Sequence, residues 1–147
     1  MTTKIAEEHR ALDKLFATAL DQLEAGDSEC QARDALAELA ETLESHLVAE
    51  ENLYFPTIWA LRPEFKDRLR AFIRAHHHFR GLIQEIAGLL DCQEMEEAMH
   101  VLRSLKHEFG RHEGAEEDAL RSLDEHILEA ESHSPGLPDG CEPTHYR

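Results

Sequence analysis

Apolar residues recur along this chain at the three- and four-residue spacing of amphipathic helices rather than the alternation of strands. Ile5, Leu12, Phe16, Leu20 and Leu23 share one stripe and predict a first helix from Thr3 to about Ala25, with Glu7 and Glu8 in its first turn and Gly26 as its stop. Ser28 and Gln31 read as a capping box that opens a second helix, from about Glu29 to Leu61. Its inner face collects Leu36, Leu39, Leu43, His46, Glu50, Leu53 and Thr57, and Pro56 is expected to kink or shorten its end.

Pro63 marks the next junction. Leu69, Phe72, Ile73, His76, Ile83, Ala87 and Leu90 then predict a third helix, with His77 and His78 facing out. Asp91 with Glu94 caps a fourth, running to about Ala130 with Leu102, Leu105, Phe109, His112, Glu116, Ala119 and Leu123 inward and His107 outward. Gly110 and Gly114 interrupt its helix propensity and suggest close packing or an irregular turn beside His112. Beyond Ser132 the chain turns to Ser, Pro and Gly and reads as a disordered tail, in which Cys141 and His145 are weak metal-ligand candidates. The expected fold is all-α: an up-down-up-down antiparallel four-helix bundle over residues 1–132 with a short flexible tail over 133–147.

A repeat underlies the bundle. His9 precedes His46 by 37 residues and His76 precedes His112 by 36, and each later His is followed by x-x-x-Glu-Glu. A His and a Glu four apart on a helix differ by roughly 40° in direction, so each pair faces a common point. Residues equidistant from a turn lie level in such a bundle. His9 and His46 stand 18 and 19 positions from the first turn near residue 27, and Glu50 and His76 stand 13 each from Pro63. Around residue 92, His76 and His112 stand 16 and 20 away, a mismatch of about one turn. His9, His46, His76 and His112, with Glu50 and Glu116, therefore converge at one depth.

Two inward carboxylates without a cation would each cost several kcal/mol or would have to pair with protonated histidines. A metal site follows, and its nitrogen and carboxylate ligands suit iron, manganese or zinc. Carboxylates from two helices can bridge two ions. Composition agrees: the formal charge of -16 over 147 residues favours a cation as partner and disfavours nucleic acid and anionic lipid. The basic run of Arg62, Lys66, Arg68, Arg70, Arg74 and Arg80 reads as a helix face paired with carboxylates. An odd set of three cysteines without CxxC spacing, no signal segment and no membrane-length apolar run predict a cytoplasmic protein in a reducing compartment.

These motifs resemble the hemerythrin-like (HHE cation-binding) family over about residues 3 to 130. One His lies in the first helix, His-x-x-x-Glu in the second, one His in the third and His-x-x-x-Glu in the fourth, with Glu51-Asn52-Leu53-Tyr54-Phe55-Pro56 continuing the second motif. The resemblance implies a non-heme centre of two iron ions, oxo- or hydroxo-bridged, with Glu50 and Glu116 bridging; manganese or zinc are the alternatives. It implies a protein that binds or senses oxygen, related small ligands such as another diatomic or peroxide, or iron. The alternative is a di-iron redox enzyme acting on peroxide or nitric oxide or in iron-centre repair. Oxygen carriers have a second His one turn after the third-helix ligand, where this chain has Arg80. The fourth motif follows sensing relatives rather than the carriers' longer spacing to Asp, and both departures argue against stable reversible carriage.

Overall fold

The computed structural model describes the backbone of residues 2–26 and 28–132 and the side chains of residues 3–26 and 28–123. Five α-helices, α1 (Thr2–Ala25), α2 (Glu29–Ala49), α3 (Phe55–Leu61), α4 (Lys66–Asp91) and α5 (Met95–Ser132), form four antiparallel rods, because α2 and α3 are joined through a π-helical turn, Glu50–Tyr54. Neighbours pack as α1 against α2 and α5, and α4 against α2, α3 and α5. The expected helical bundle is therefore present. The tail expected over 133–147, with Cys141 and His145, lies outside the described residues. Among the described residues no helix is long and apolar enough to cross a membrane.

The first turn follows the sequence closely. Gly26 takes φ +63°, and Ser28 Oγ accepts the Gln31 amide as α2 begins. The second hairpin closes differently from expectation. Asp91 is the last residue of α4 rather than a cap of α5, and its carboxylate accepts from Arg33 at 2.7 Å. Gln93, at φ 60°, completes a Schellman motif in which the Glu94 amide donates to Leu89 O and the Gln93 amide to Leu90 O. These turn residues add no height to either rod. His76 then stands 15 positions before the end of α4 and His112 17 after the start of α5, which removes most of the apparent mismatch.

Two apolar clusters fill the bundle. One includes Leu12, Phe16, Leu39, Leu43, Phe79 and Phe109, and the other Ile5, Phe55, Ile58, Leu69, Phe72 and Leu123. The predicted stripes of α1 and α5 are buried throughout their described side chains. Because α1 already starts at Thr2, Glu7 and Glu8 lie beyond its first turn, and Glu8 reaches across to His46 instead.

Three expectations fail. Leu53 is 59% exposed and Thr57 only half-buried, while Tyr54, Phe55 and Ile58 point inward. The π turn holds one residue more than an α turn, so every later side chain is rotated by roughly 100° relative to a continuous α-helix. Pro56, which has no amide hydrogen to give, follows this wide turn at the start of α3 without ending the rod. On α4, Ile83 is half-buried and Ala87 exposed, whereas Phe79 and Ile86 are buried. The buried stripe of Leu69, Phe72, His76, Phe79, Ile86 and Leu90 keeps a coiled-coil period of 3.5; Ile83 also falls on it and packs half-buried against the core, whereas Ala87 lies off it. Gly110 and Gly114 mark neither close packing nor an irregular turn: both are exposed within continuous helix, and a Cβ added at either meets nothing within 4 Å.

The shifted register has a direct stability test. Phe55→Ala is expected to cost about 3–5 kcal/mol in chemical denaturation and Leu53→Ala about 0.5 or less; the reverse order would restore the continuous α-helical register. Gly110→Ala and Gly114→Ala should each stabilise the fold by about 0.5–1 kcal/mol, and a loss at either would reveal a packing constraint there.

Candidate metal centre

Between the two apolar clusters lies a layer of buried polar side chains: His9, His46, Glu50, His76, His112 and Glu116, with Glu50 at 0% and Glu116 at 1% exposure. All six residues anticipated from the spacing thus meet, one His from each of α1, α2, α4 and α5, with Glu50 opening the π turn and Glu116 on α5. His77 and His107 are exposed, and exposed His78 meets Glu108 at 3.1 Å.

The two carboxylates organise the layer. Glu50 turns Oε2 to His46 Nε2 at 3.4 Å and Oε1 to His76 Nε2 at 3.2 Å. Glu116 turns Oε1 to His9 Nε2 at 3.3 Å and Oε2 to His112 Nε2 at 2.9 Å and His76 Nε2 at 3.5 Å. Each acid therefore presents one oxygen to each histidine pair. Two four-residue groups result, His9–His46–Glu50–Glu116 and Glu50–His76–His112–Glu116, whose ligand atoms lie within 4.8 Å of one another in each group. His9 Nε2, His46 Nε2 and all four oxygens of Glu50 and Glu116 are buried without a satisfactory hydrogen bond. Orphaned donors and acceptors of this kind, converging from four helices, fit a metal site with two shared carboxylates.

Three of the four rings are fixed from behind by a carboxylate. His46 Nδ1 meets Glu8 Oε1 at 2.6 Å, His9 Nδ1 meets Glu117 Oε2 at 2.8 Å and His76 Nδ1 meets Glu51 Oε2 at 2.7 Å. Such outer carboxylates set the tautomer and raise ligand basicity. Phe55 stacks on His76 with ring centres 5.6 Å apart, and Phe79 meets His112 edge-on at 5.1 Å. An open cleft of about 280 Å³ between α1 and α2, walled by small residues such as Ala11, Ser45 and Ala49, reaches His46.

Glu51 holds His76 from behind. Glu8, Glu113 and Glu117 were missed. The signal lay in the doublets Glu50-Glu51 and Glu116-Glu117: the first acid of each points into the layer, and the second holds a histidine on another helix. Arg80, one turn after His76, turns away from the layer to grip Glu51 and Glu44. Neither Asp13 nor His77 joins the ligand groups.

The protonation of the metal-free layer follows from these contacts. Burial works against charge on His9, but its contacts with Glu116 and Glu117 and the charge of Glu113 outweigh it and carry the pKa up to about 9. His76 reaches about 9 in the same way, burial being overcome by Glu116, Glu50 and Glu51. Burial pushes the Glu116 carboxyl up, yet His112, His76 and His9 hold it well below the usual carboxylate range. Glu113 has no such escort: burial, with Asp13 and Glu117 nearby, drives it up to about 8 against the pull of His9.

The chain matches the family model described as "Hemerythrin HHE cation binding domain" over residues 1–133. Comparisons with curated proteins and with solved structures return no match.

His9, His76 and Glu113 all bind their protons more tightly in the fold than in the unfolded chain, whose reference values are 6.5 for His and 4.5 for Glu. The stability this contributes is complete below those reference values and is lost as pH rises through the folded ones. Glu116 acts only at acid pH and does not enter that window. The melting temperature of chelator-treated protein should therefore fall steadily between about pH 6 and pH 9. A flat or rising profile would refute the protonation assigned to the layer.

Proposed function

The chain belongs to the hemerythrin HHE cation binding domain family, and from that premise we propose that it holds two iron ions and binds or senses dioxygen, a related small ligand, or iron itself. His9 and His46 would hold one ion, His76 and His112 the other, and Glu50 and Glu116 would be shared by both. One observation carries this reading: each buried carboxylate turns one oxygen to each histidine pair. A terminal ligand to a single ion would not need that division.

Bound iron supplies redox chemistry and open coordination positions for a small ligand. The chain's own residues do the rest. Glu8, Glu117 and Glu51 orient the imidazoles that they touch. Phe55, Phe79 and Phe109 pack around the rings and limit water. The cleft beside His46, with its small walls, suits a diatomic ligand or peroxide better than an organic substrate. Exposed, free Cys30 and Cys92 agree with a reducing compartment.

A sensor needs its occupied and vacant states to differ in free energy, and a buried layer of titratable ligands provides that, since metal and protons compete for the same atoms. The competing enzymatic reading, on peroxide or nitric oxide or in iron-centre repair, uses the same ligands and differs in requiring turnover that His112→Ala abolishes.

Anaerobic iron loading with elemental analysis and optical spectra before and after oxygen tests the proposal. It expects two irons per chain, a spectrum that changes on oxygen exposure, and loss of bound iron in His46→Ala and Glu50→Ala. Free iron at about 100 times its dissociation constant should add roughly 2.7 kcal/mol of stability, or about 5–10 °C in melting temperature. Stoichiometric iron in Glu50→Ala, or an unchanged melt on loading, would sink it.

A further inference from the structure

The two helix hairpins repeat in sequence, but the charges behind their histidines do not. In the first hairpin, His46 is backed by Glu8 and His9 by Glu117, at 2.6 and 2.8 Å. Glu8 has as its further partner only the Tyr54 hydroxyl, at 3.4 Å, and neither acid pairs with an Arg or Lys among the described residues. In the second hairpin, the position matching Glu8 is Ala75, and His76 alone is backed, by Glu51. That acid is partly neutralised, by a guanidinium it shares with Glu44. Arg80 donates through Nη1 to Glu51 Oε2 at 3.0 Å and through Nη2 to Glu51 Oε1 at 3.2 Å, and it holds Glu44 with Nε at 2.8 Å. Counting four residues on from the first His of each hairpin gives Asp13 in one and Arg80 in the other. The repeat thus places an acid beside one half of the layer and a cation beside the other.

From this asymmetry we infer that the two halves of the centre load in order, His9–His46 first and His76–His112 second, and that Arg80 is the positioning residue that sets the gap. The inference rests on the two-ion reading above. Glu50 and Glu116 are shared, so they cannot distinguish the halves; the outer carboxylates can. An unpaired carboxylate behind an imidazole both adds negative potential at the cation and makes the ring a better donor. A carboxylate clasped by guanidinium on both oxygens does less of each, because the cation draws on the same lone pairs that hold the Nδ1 proton. Glu51 and Arg80 are about one-fifth and one-quarter exposed, so solvent screens this effect only in part. A second ion held there would be the more electron-poor of the two and hence the stronger Lewis acid for an anionic ligand.

The opposite prediction follows if Arg80 merely buttresses Glu51. Removing a buttress would loosen His76 and weaken its ion, whereas removing a compensating charge strengthens it. Titration of the metal-free full-length protein with manganese(II), followed by calorimetry and by electron paramagnetic resonance to separate isolated from spin-coupled ions, decides between them. Two steps are expected: an isolated ion first, then a coupled pair, with the second step weaker by about tenfold or more. Arg80→Gln should tighten the second step about five- to tenfold and leave the first unchanged. Glu44→Gln, a surface change that leaves Arg80 wholly to Glu51, should weaken the second step, and Glu8→Gln should weaken the first. Two equal steps, or a second step weakened in Arg80→Gln, would overturn the inference while leaving the two-ion centre standing. Binding of a single ion by the unaltered protein would overturn the centre itself.

Discussion

Burial of two carboxylates at the middle of an otherwise apolar bundle is the constraint on which the rest of this structure depends. Glu50 and Glu116 are almost wholly withdrawn from water, and ionised groups in such surroundings cost several kcal/mol each unless positive charge is held against them. Four imidazoles face them, one from each rod, and none of the four carboxylate oxygens receives a well-formed hydrogen bond. The layer can be neutralised by protons on the histidines or by cations between the ligands. These alternatives draw on the same atoms, so occupancy and protonation are two sides of one equilibrium.

The π turn is how the second rod meets that constraint and the demands of the core together. Glu50 must point into the layer, Glu51 must reach His76 on the neighbouring rod, and Tyr54, Phe55 and Ile58 must fill the lower cluster. A continuous α-helix would direct Leu53 and Thr57 inward instead. One extra residue in the turn rotates the downstream segment so that Phe55 stacks on His76, while Leu53 is left in water. Single π turns are uncommon and concentrate at functional sites, and here the reason is visible: the ligand turn and the packing turn require different phases of one helix.

What could be read from the sequence, and what could not, divides along the same line. The ligands were legible because His9, His46, His76, His112, Glu50 and Glu116 all lie within unbroken helix or at its end, where counting residues gives direction and height. Register beyond Glu50 was not, since nothing in the composition of Glu51–Tyr54 announces an extra residue and the error passes to every later position. On α4 the failure was subtler: periods of 3.5 and 3.6 part company over six turns, enough to exchange Ala87 for Ile86. The outer carboxylates failed for another reason. Glu8, Glu51 and Glu117 are defined by which residue of a different rod they reach, and single-helix periodicity carries no such information.

Arg80 joins these threads. On the sequence it stands where carriers of this family have a further histidine, and there it reads as a missing ligand. In the structure it is part of a chain, Glu44–Arg80–Glu51–His76, that ends on a ligand instead of being one. A third imidazole there would add a neutral ligand; the guanidinium instead lies behind an outer acid and lowers the electron density that this acid passes to His76. Arg80 therefore changes the charge around half of the layer while the inner His and Glu residues follow the repeat. If the layer holds two ions, as proposed, halves alike in ligands and unlike in surroundings would fill one before the other, so that occupancy would respond in steps to the supply of metal.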